Sequence, residues 1–357
     1  MTIDKAGRMR DEDALSIEAI TAYLEQVVED FHANEAINIL QYPSGASNLT
    51  YEINWQGKDS EQALILRTAP RGANIKSAHD MGREFQVLSR LGKHFKYCPT
   101  PIAHCTDDSV IGREFYLMEK VSGMIPRQTM PIDYEPELLT ALCKQLMDIQ
   151  LELHQIDIVD TGLIEMGKPM GYVERQVSGW CKRYRNARTD DVPAADDLMQ
   201  WLTDNQPDDC YTKPEDASFI HNDYKLDNVV ISAEQPDRII SVLDWEMATV
   251  GDPLMDLGNS LAYWVNENDP KPMHAIAMMP TRDKGMLTRE ELIDYYVSNS
   301  PLNVKSFDYY YCFGLFRLAV IAQQIYKRYK EGQTTNKKFA VFGQFVQVLI
   351  GVTKRFY

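Results

Sequence analysis

Long apolar runs are missing from this 357-residue chain. None approaches the ~18–20 residues that a membrane-crossing helix needs, so membrane-spanning functions are set aside. The opening segment, MTIDKAGRMRDEDALS, lacks the apolar core of a secretory signal, and the expectation is a cytoplasmic protein. Cysteine is sparse, with six residues scattered at 98, 105, 143, 181, 210 and 312. Without a CxxC pair or a Cys/His cluster they exclude a zinc-binding module and a disulfide framework, and predict free thiols in a reducing compartment. Positive charge is in deficit, with 37 Lys and Arg against 52 Asp and Glu, a net −15. Such a surface repels phosphate backbones and anionic lipid, which removes nucleic acid and membrane surfaces as partners. Internal repeats and low-complexity tracts are also lacking.

What is present is an ordinary globular balance, 44% apolar and 25% charged, long enough for two lobes. Residues 1–15 are dense in charge and read as a flexible lead. Ser16 then suits the N-cap of a helix carrying Ile17, Ile20, Leu24, Val27 and Val28 at helical spacing. Strand-like runs at 50–55 and 63–68 follow, broken by Pro43, Gly45 and the turn at 57–60. A helix over about 79–91 aligns Met81, Phe85, Leu88 and Leu91, and further strands are expected at 102–105 and 114–119. From 121 onward the texture is mostly helical, interrupted by short strands at 217–221, 228–232 and 238–244. The expected fold class is α+β and bilobal. A small N-lobe with an antiparallel sheet occupies 16–120, and a larger helical C-lobe occupies 121–357. His154 and the aromatic-rich helix 309–329 read as packing elements.

The chemistry concentrates in Phe219-Ile-His-Asn-Asp-Tyr-Lys-Leu-Asp-Asn-Val-Val-Ile231. A strand-like run ends at His221, a short polar loop carries Asp223, Lys225 and Asn228, and a second apolar run begins at Val229. A carboxylate can accept a hydroxyl proton, a lysine can neutralise a moving phosphoryl group, and an amide oxygen can ligate a hard cation. Sixteen residues after Asn228 the next strand ends at Asp244, followed by Glu246. Antiparallel pairing of the two strands would bring Asp244 back beside Asn228, a pair of oxygen donors suited to Mg²⁺.

The spacing His221-x-Asp223-x-x-x-x-Asn228 resembles the catalytic loop of the protein-kinase-like superfamily, with Asp244-Trp-Glu246 where kinases carry D-F-G. The missing Arg after His221 and the Asp-x-Glu pattern are similar to the aminoglycoside phosphotransferase-like family. Within it the chain looks closest to the kinase domains fused to some acyl-CoA dehydrogenases. The resemblance implies ATP and Mg²⁺ as cofactors, Asp223 as base or orienter for the acceptor hydroxyl with Lys225 beside it, and Asn228 and Asp244 as Mg²⁺ ligands. It also implies that Arg67, in Leu64-Ile-Leu-Arg-Thr, stands where kinases place the phosphate-binding lysine. Glu84, on the helical row of Leu88 and Leu91, is the natural partner of Arg67. Gly45-Ala-Ser-Asn resembles a nucleotide loop, with Ser47 and Asn48 as phosphate contacts and one glycine where kinases carry G-x-G-x-x-G. Phe115-Tyr-Leu-Met-Glu-Lys-Val resembles the inter-lobe hinge. Met118 would be its gatekeeper, with the Glu119 carbonyl and Val121 amide reading adenine. Asp252 suits an N-cap before Pro253, and Asp256 matches the aspartate that anchors the catalytic loop; His221 and Glu246 complete the supporting set.

The expected reaction is γ-phosphoryl transfer to a hydroxyl of a small-molecule acceptor, as only a short segment lies between Asp244 and the Gly251–Asp256 motif and no A-P-E follows. Nine acidic residues against one lysine in 190–216 would suit a cationic acceptor, whether aminoglycoside-like or choline-like. Arg175, Lys182, Arg183, Arg185 and Arg188 would suit an anionic one such as a hydroxyacyl-CoA. A nucleotide-binding pseudokinase is the alternative, and a homodimer is compatible with the sequence without being specified by it.

Overall fold

The computed structural model describes residues 6–29, 31, 36–43, 48–58, 60–70, 80–334 and 336–357. The chain divides into two units, Met1–Ile125 with Val229–Glu246, and Pro126–Asn228 with Met247–Tyr357.

The first unit is organised by a six-stranded antiparallel sheet. Its strands are β1 (Gly7–Arg8), β2 (Asn38–Gln41), β3 (Leu49–Gln56), β4 (Glu61–Thr68), β5 (Pro101–Cys105) and β6 (Phe115–Glu119), in the order β1-β2-β3-β4-β6-β5. Helix α1 (Ile17–Val27) is capped by Ser16, whose Oγ accepts from the Ala19 N–H at 3.2 Å. Helix α2 (Met81–Leu91) is capped by Asp80, and a short α3 (Asp108–Ile111) follows β5. Residues expected to form a loose lead instead join this unit. Gly7 and Arg8 pair with Gln41 and Leu40, Leu15 is buried, and the Asp13 carbonyl accepts the Tyr51 hydroxyl at 2.8 Å. Charge density concealed this, because backbone pairing requires no apolar side chain.

The strand β4 is interior to the sheet, and the period of two sorts its residues. Leu64 and Leu66 enter the apolar core with Tyr51, Ile53, Phe115 and Leu117, while Arg67 falls on the opposite face from Leu66. A hairpin of β8 (Val229–Ile231) and β9 (Ile239–Val242) also belongs to this unit. Met124 N–H donates to the Ile231 carbonyl at 2.7 Å, and Val242 N–H to that of Tyr97 at 2.8 Å. Gly123 permits that approach, since a Cβ there would meet the Ile231 oxygen at 2.5 Å.

The second unit is mostly helical: α4 (Pro136–His154), α5 (Tyr172–Ala187), α6 (Asp196–Asp204), α7 (Pro253–Leu261), α8 (Lys271–Ala275), α9 (Arg289–Ser298), α10 (Asp308–Lys330) and α11 (Phe342–Thr353). A two-stranded ladder of β7 (Ser218–Ile220) and β10 (Thr249–Gly251) completes it. Helices α7 and α10 pack backbone against backbone. A Cβ on Gly258 would meet the Tyr310 carbonyl oxygen at 2.3 Å, and one on Gly314 the Gly258 oxygen at 2.1 Å. Part of the acidic stretch 190–216 has structural employment. The Asp209 carboxylate accepts the Gly171, Tyr172 and Val173 N–H groups at the start of α5, and Asp191 accepts from Tyr326 and Lys330. Among the described residues, no helix is long and apolar enough to cross a membrane.

Candidate functional site

In the second unit, the chain leaves β7 at Ile220 and turns through His221–Asn228. Apolar and aromatic residues pin the loop from below: Tyr224 and Leu226 are buried, and the Tyr224 hydroxyl donates to the Leu146 carbonyl at 2.7 Å. The alternating polar residues converge. Lys225 Nζ donates to Asp223 Oδ2, and Asn228 Nδ2 donates to the same oxygen at 3.0 Å and to the Asp223 carbonyl at 2.9 Å. Burial alone would lower the Lys225 pKa, but Asp223, Tyr263 and Asp227 hold it above the ordinary lysine value. Asp227, singled out by no sequence argument, lies 3.7 Å from Lys225 Nζ. Burial pushes its carboxyl up, with Lys225 opposing. Tyr263, also missed, lies under Lys225 with its ring centroid 5.2 Å from Nζ.

The loop is fixed from behind by Asp256, which is fully buried. Its Oδ1 accepts the Asn222 N–H at 2.6 Å, and its Oδ2 accepts the His221 N–H at 3.3 Å, the Gln150 amide at 3.2 Å and His154 Nε2 at 2.9 Å. Burial would raise this carboxyl, yet the His154 hydrogen bond and the charges of His154 and His221 keep it below the usual range. His154 is therefore more than packing, and its Nδ1 meets the Tyr296 hydroxyl at 2.6 Å. His221 Nδ1 accepts the Asp223 N–H at 3.2 Å. Asp252 caps α7 through the Leu254 and Met255 N–H groups and accepts the Cys210 N–H at 3.0 Å. Asn222 adopts φ +64°, a left-handed conformation that asparagine tolerates better than most residues.

In the first unit, Arg67 is 9% exposed, and three carboxylates surround it. Glu84 lies at 3.2 Å, Asp244 at 3.1 Å and Glu246 at 3.5 Å. Burial opposes the charge on Arg67, but Glu84, Tyr116, Asp244 and Glu246 hold its pKa well above the ordinary value. Burial raises the Glu84 carboxyl against the pull of Arg67. The pairing of Arg67 with Glu84 was legible from the helical row. The shared role with Asp244 and Glu246 was not, as those residues lie far downstream in the chain. Asp244 has φ +69°, a second non-glycine residue held in the left-handed region next to polar machinery.

The remaining sequence candidates are also in this unit. Asn48 is buried and donates its side-chain amide to Glu246 Oε2 at 2.7 Å, while Ser47 lies outside the described residues. Met118 is buried on β6, Glu119 N–H donates to the Thr100 carbonyl at 2.9 Å, and Val121 is half-buried just beyond the strand. Val229, the residue after Asn228, pairs with Val242, two residues before Asp244.

Asn228 and Asp244, each within its own unit, carry side-chain oxygens of the type that a hard cation accepts. Among the described residues, no group of three or more His, Cys, Asp and Glu is arranged to hold a metal. Mg²⁺ needs none, because it takes one or two carboxylates and completes its shell with phosphate oxygens and water. Asn228 directs its amide nitrogen to Asp223, which leaves the amide oxygen for a cation. Asp244, with Glu84 and Glu246, is one of three carboxylates within 3.5 Å of the Arg67 guanidinium.

Comparison with known proteins gives a consistent assignment. Residues 38–288 match the phosphotransferase enzyme family. Acyl-CoA dehydrogenase family member 11 of Pongo abelii is 34% identical over 336 residues, which is 93% of this chain and 42% of that protein. The chain thus spans less than half the length of that relative. A crystal structure from Ralstonia eutropha, assigned as an aminoglycoside phosphotransferase, is 29% identical with a TM-score of 0.79, covering 96% of this chain and 98% of that one. The GDP and kanamycin complex of APH(2″)-IIia shares the fold at 14% identity, with a TM-score of 0.61 over 94% of this chain and 98% of that one. The chain belongs to the phosphotransferase enzyme family and has its kinase-like α+β fold.

Proposed function

We propose that this chain transfers the γ-phosphoryl group of ATP to a hydroxyl of a small molecule. The observation that carries the reading is the convergence of Lys225 and Asn228 on the Asp223 carboxylate, in a loop whose backbone Asp256 fixes. Phosphoryl transfer has a loose transition state and asks the protein mainly for positioning and charge neutralisation. Asp223 orients the acceptor hydroxyl and takes its proton as the new O–P bond forms. The bond to the leaving ADP breaks in the same displacement. Lys225 can move from Asp223 to a phosphoryl oxygen, since a lysine on a flexible stem serves either anion. Arg67 presents a fork suited to phosphate oxygens, with Glu84 holding it in place. Asn228 and Asp244 are the residues that would hold Mg²⁺, whose chemistry when bound is to neutralise phosphate charge.

Support for nucleotide use comes from the family membership and from the GDP held by a protein of the same fold. That neighbour also holds kanamycin, an acceptor-sized molecule. Aminoglycoside-like, choline-like and hydroxyacyl-CoA-like alcohols are the classes to screen. The test is a thermal shift with ATP and Mg²⁺, repeated on Asp244→Ala. Binding at 100 times Kd stabilises the folded state by about 2.7 kcal/mol. A Mg²⁺-dependent shift that the variant loses is the expected result. No shift with any nucleotide would remove the premise.

A further inference from the structure

Arg317 is on α10, far in sequence from the loop, and no motif points to it. Its side chain is 4% exposed. Nη2 donates to the Asn222 carbonyl at 2.8 Å, and the guanidinium packs over the Trp180 indole, 5.1 Å from the ring centroid. Among the described residues no carboxylate forms an ion pair with it. A guanidinium keeps its charge at any ordinary pH, and burying one without a carboxylate is costly unless its donors are used. The close approach of α7 and α10 at Gly258 and Gly314 sets the side chain, one turn beyond Gly314, against the loop.

The Asn222 carbonyl belongs to the peptide unit whose N–H is that of Asp223, and that N–H donates to His221 Nδ1 at 3.2 Å. The preceding peptide is held by Asp256 at 2.6 Å. The Asn222 side chain is fixed as well: its Oδ1 accepts the Tyr172 hydroxyl at 3.1 Å and its Nδ2 donates to the Met247 carbonyl at 3.2 Å. A residue at φ +64° relaxes unless its surroundings hold it. Asp256 and Arg317 grip the two peptides on either side of that residue, one with negative and one with positive charge.

We infer that Arg317, supported by Trp180, is a positioning residue that locks the Asn222–Asp223 peptide and thereby aims the Asp223 carboxylate. The inference rests on Asp223 as the base for phosphoryl transfer, but part of its test does not. Two readouts are combined on Arg317→Met and Arg317→Lys. The first is hydrogen exchange of peptides spanning 219–228, compared with peptides from α4 and α11. Arg317→Met should speed exchange in the loop by about tenfold or more while α4 and α11 stay as in the unaltered protein, and Arg317→Lys should restore most of the protection. The second is slow ADP release from Mg·ATP with water as acceptor, in a double-mutant cycle with Asp223→Asn. Arg317→Met should lower the rate about tenfold to a hundredfold, the equivalent of one charge-assisted hydrogen bond. In the Asp223→Asn background it should add little, because both changes act through one group.

Loop exchange unchanged in Arg317→Met would overturn the positioning role whatever Asp223 does. A uniform rise across the second unit, unrelieved by Lys, would also overturn it, because it marks a structural arginine. Unchanged ADP release in Asp223→Asn would instead overturn the base assignment and leave the loop exchange to decide the role of Arg317.

Discussion

The first unit gathers three carboxylates around the one guanidinium of Arg67, whereas the second surrounds the one carboxylate of Asp256 with four donors. Asp256, Arg67 and Glu84 are buried whereas Asp244 and Glu246 are half-buried, so the two clusters differ in exposure as well as in charge. Around Asp256 the lone pairs are met by His154, Gln150 and two backbone N–H groups. A buried carboxylate whose oxygens are all met in that way rigidifies the backbone it holds. Around Arg67 three carboxylates share one guanidinium, and their mutual repulsion is relieved through that single cation. One cluster fixes backbone, and the other gathers side-chain charge around a single guanidinium.

The largest expected effect is on turnover: Asp223→Asn should lower kcat by about 10²–10⁴ while the nucleotide-dependent thermal shift persists. Loss of that shift together with turnover would show that the loop serves binding more than chemistry. Next comes Arg67→Met, which leaves Glu84 buried without its partner and should cost about 3–5 kcal/mol in urea unfolding. Arg67→Lys should cost less, because one charge remains. A neutral result for Arg67→Met would mean that Glu84 is protonated in the resting protein.

The smallest effect sharpens the other side. Asp256 titrates below its ordinary value in the folded protein, so it contributes stability above the unfolded pKa, about 4, that is lost as pH falls toward the folded value. Asp269, lowered by Arg289 against its own burial, acts with the same sign. Glu84, Asp227 and Asp252, raised by burial, act with the opposite sign. Comparing the protein with His154→Gln cancels these background groups. The variant should be less stable by about 1–3 kcal/mol at pH 7 and lose less between pH 5 and 2. Parallel pH profiles would mean that His154 does not set the Asp256 carboxyl.

The elements of the fold were legible where local chemistry decides them. Ser16 caps its helix, the strands about 50–55 and 63–68 pair with each other, and His221–Asn228 is bracketed by short strands. The loop residues Asp223, Lys225 and Asn228 could be read together because they are within six positions of one another. Arg317 to Asn222 spans 95 residues, His154 to Asp256 102, and Arg67 to Asp244 177. No local pattern encodes such pairs, since a buried arginine or histidine leaves no trace in periodicity. Asn222 stood where the kinase pattern has arginine. That the guanidinium reaching this loop comes from α10 instead could only be seen in three dimensions.

The most direct test of phosphoryl transfer uses γ-labelled ATP and Mg²⁺ with aminoglycoside, choline and hydroxyacyl-CoA alcohols, run on the unaltered protein and on Asp223→Asn. Label on one small-molecule hydroxyl, and its near-complete loss in the variant, is the expected result. Label that appears only on generic protein acceptors, or on the same hydroxyl at an undiminished rate in Asp223→Asn, would contradict it.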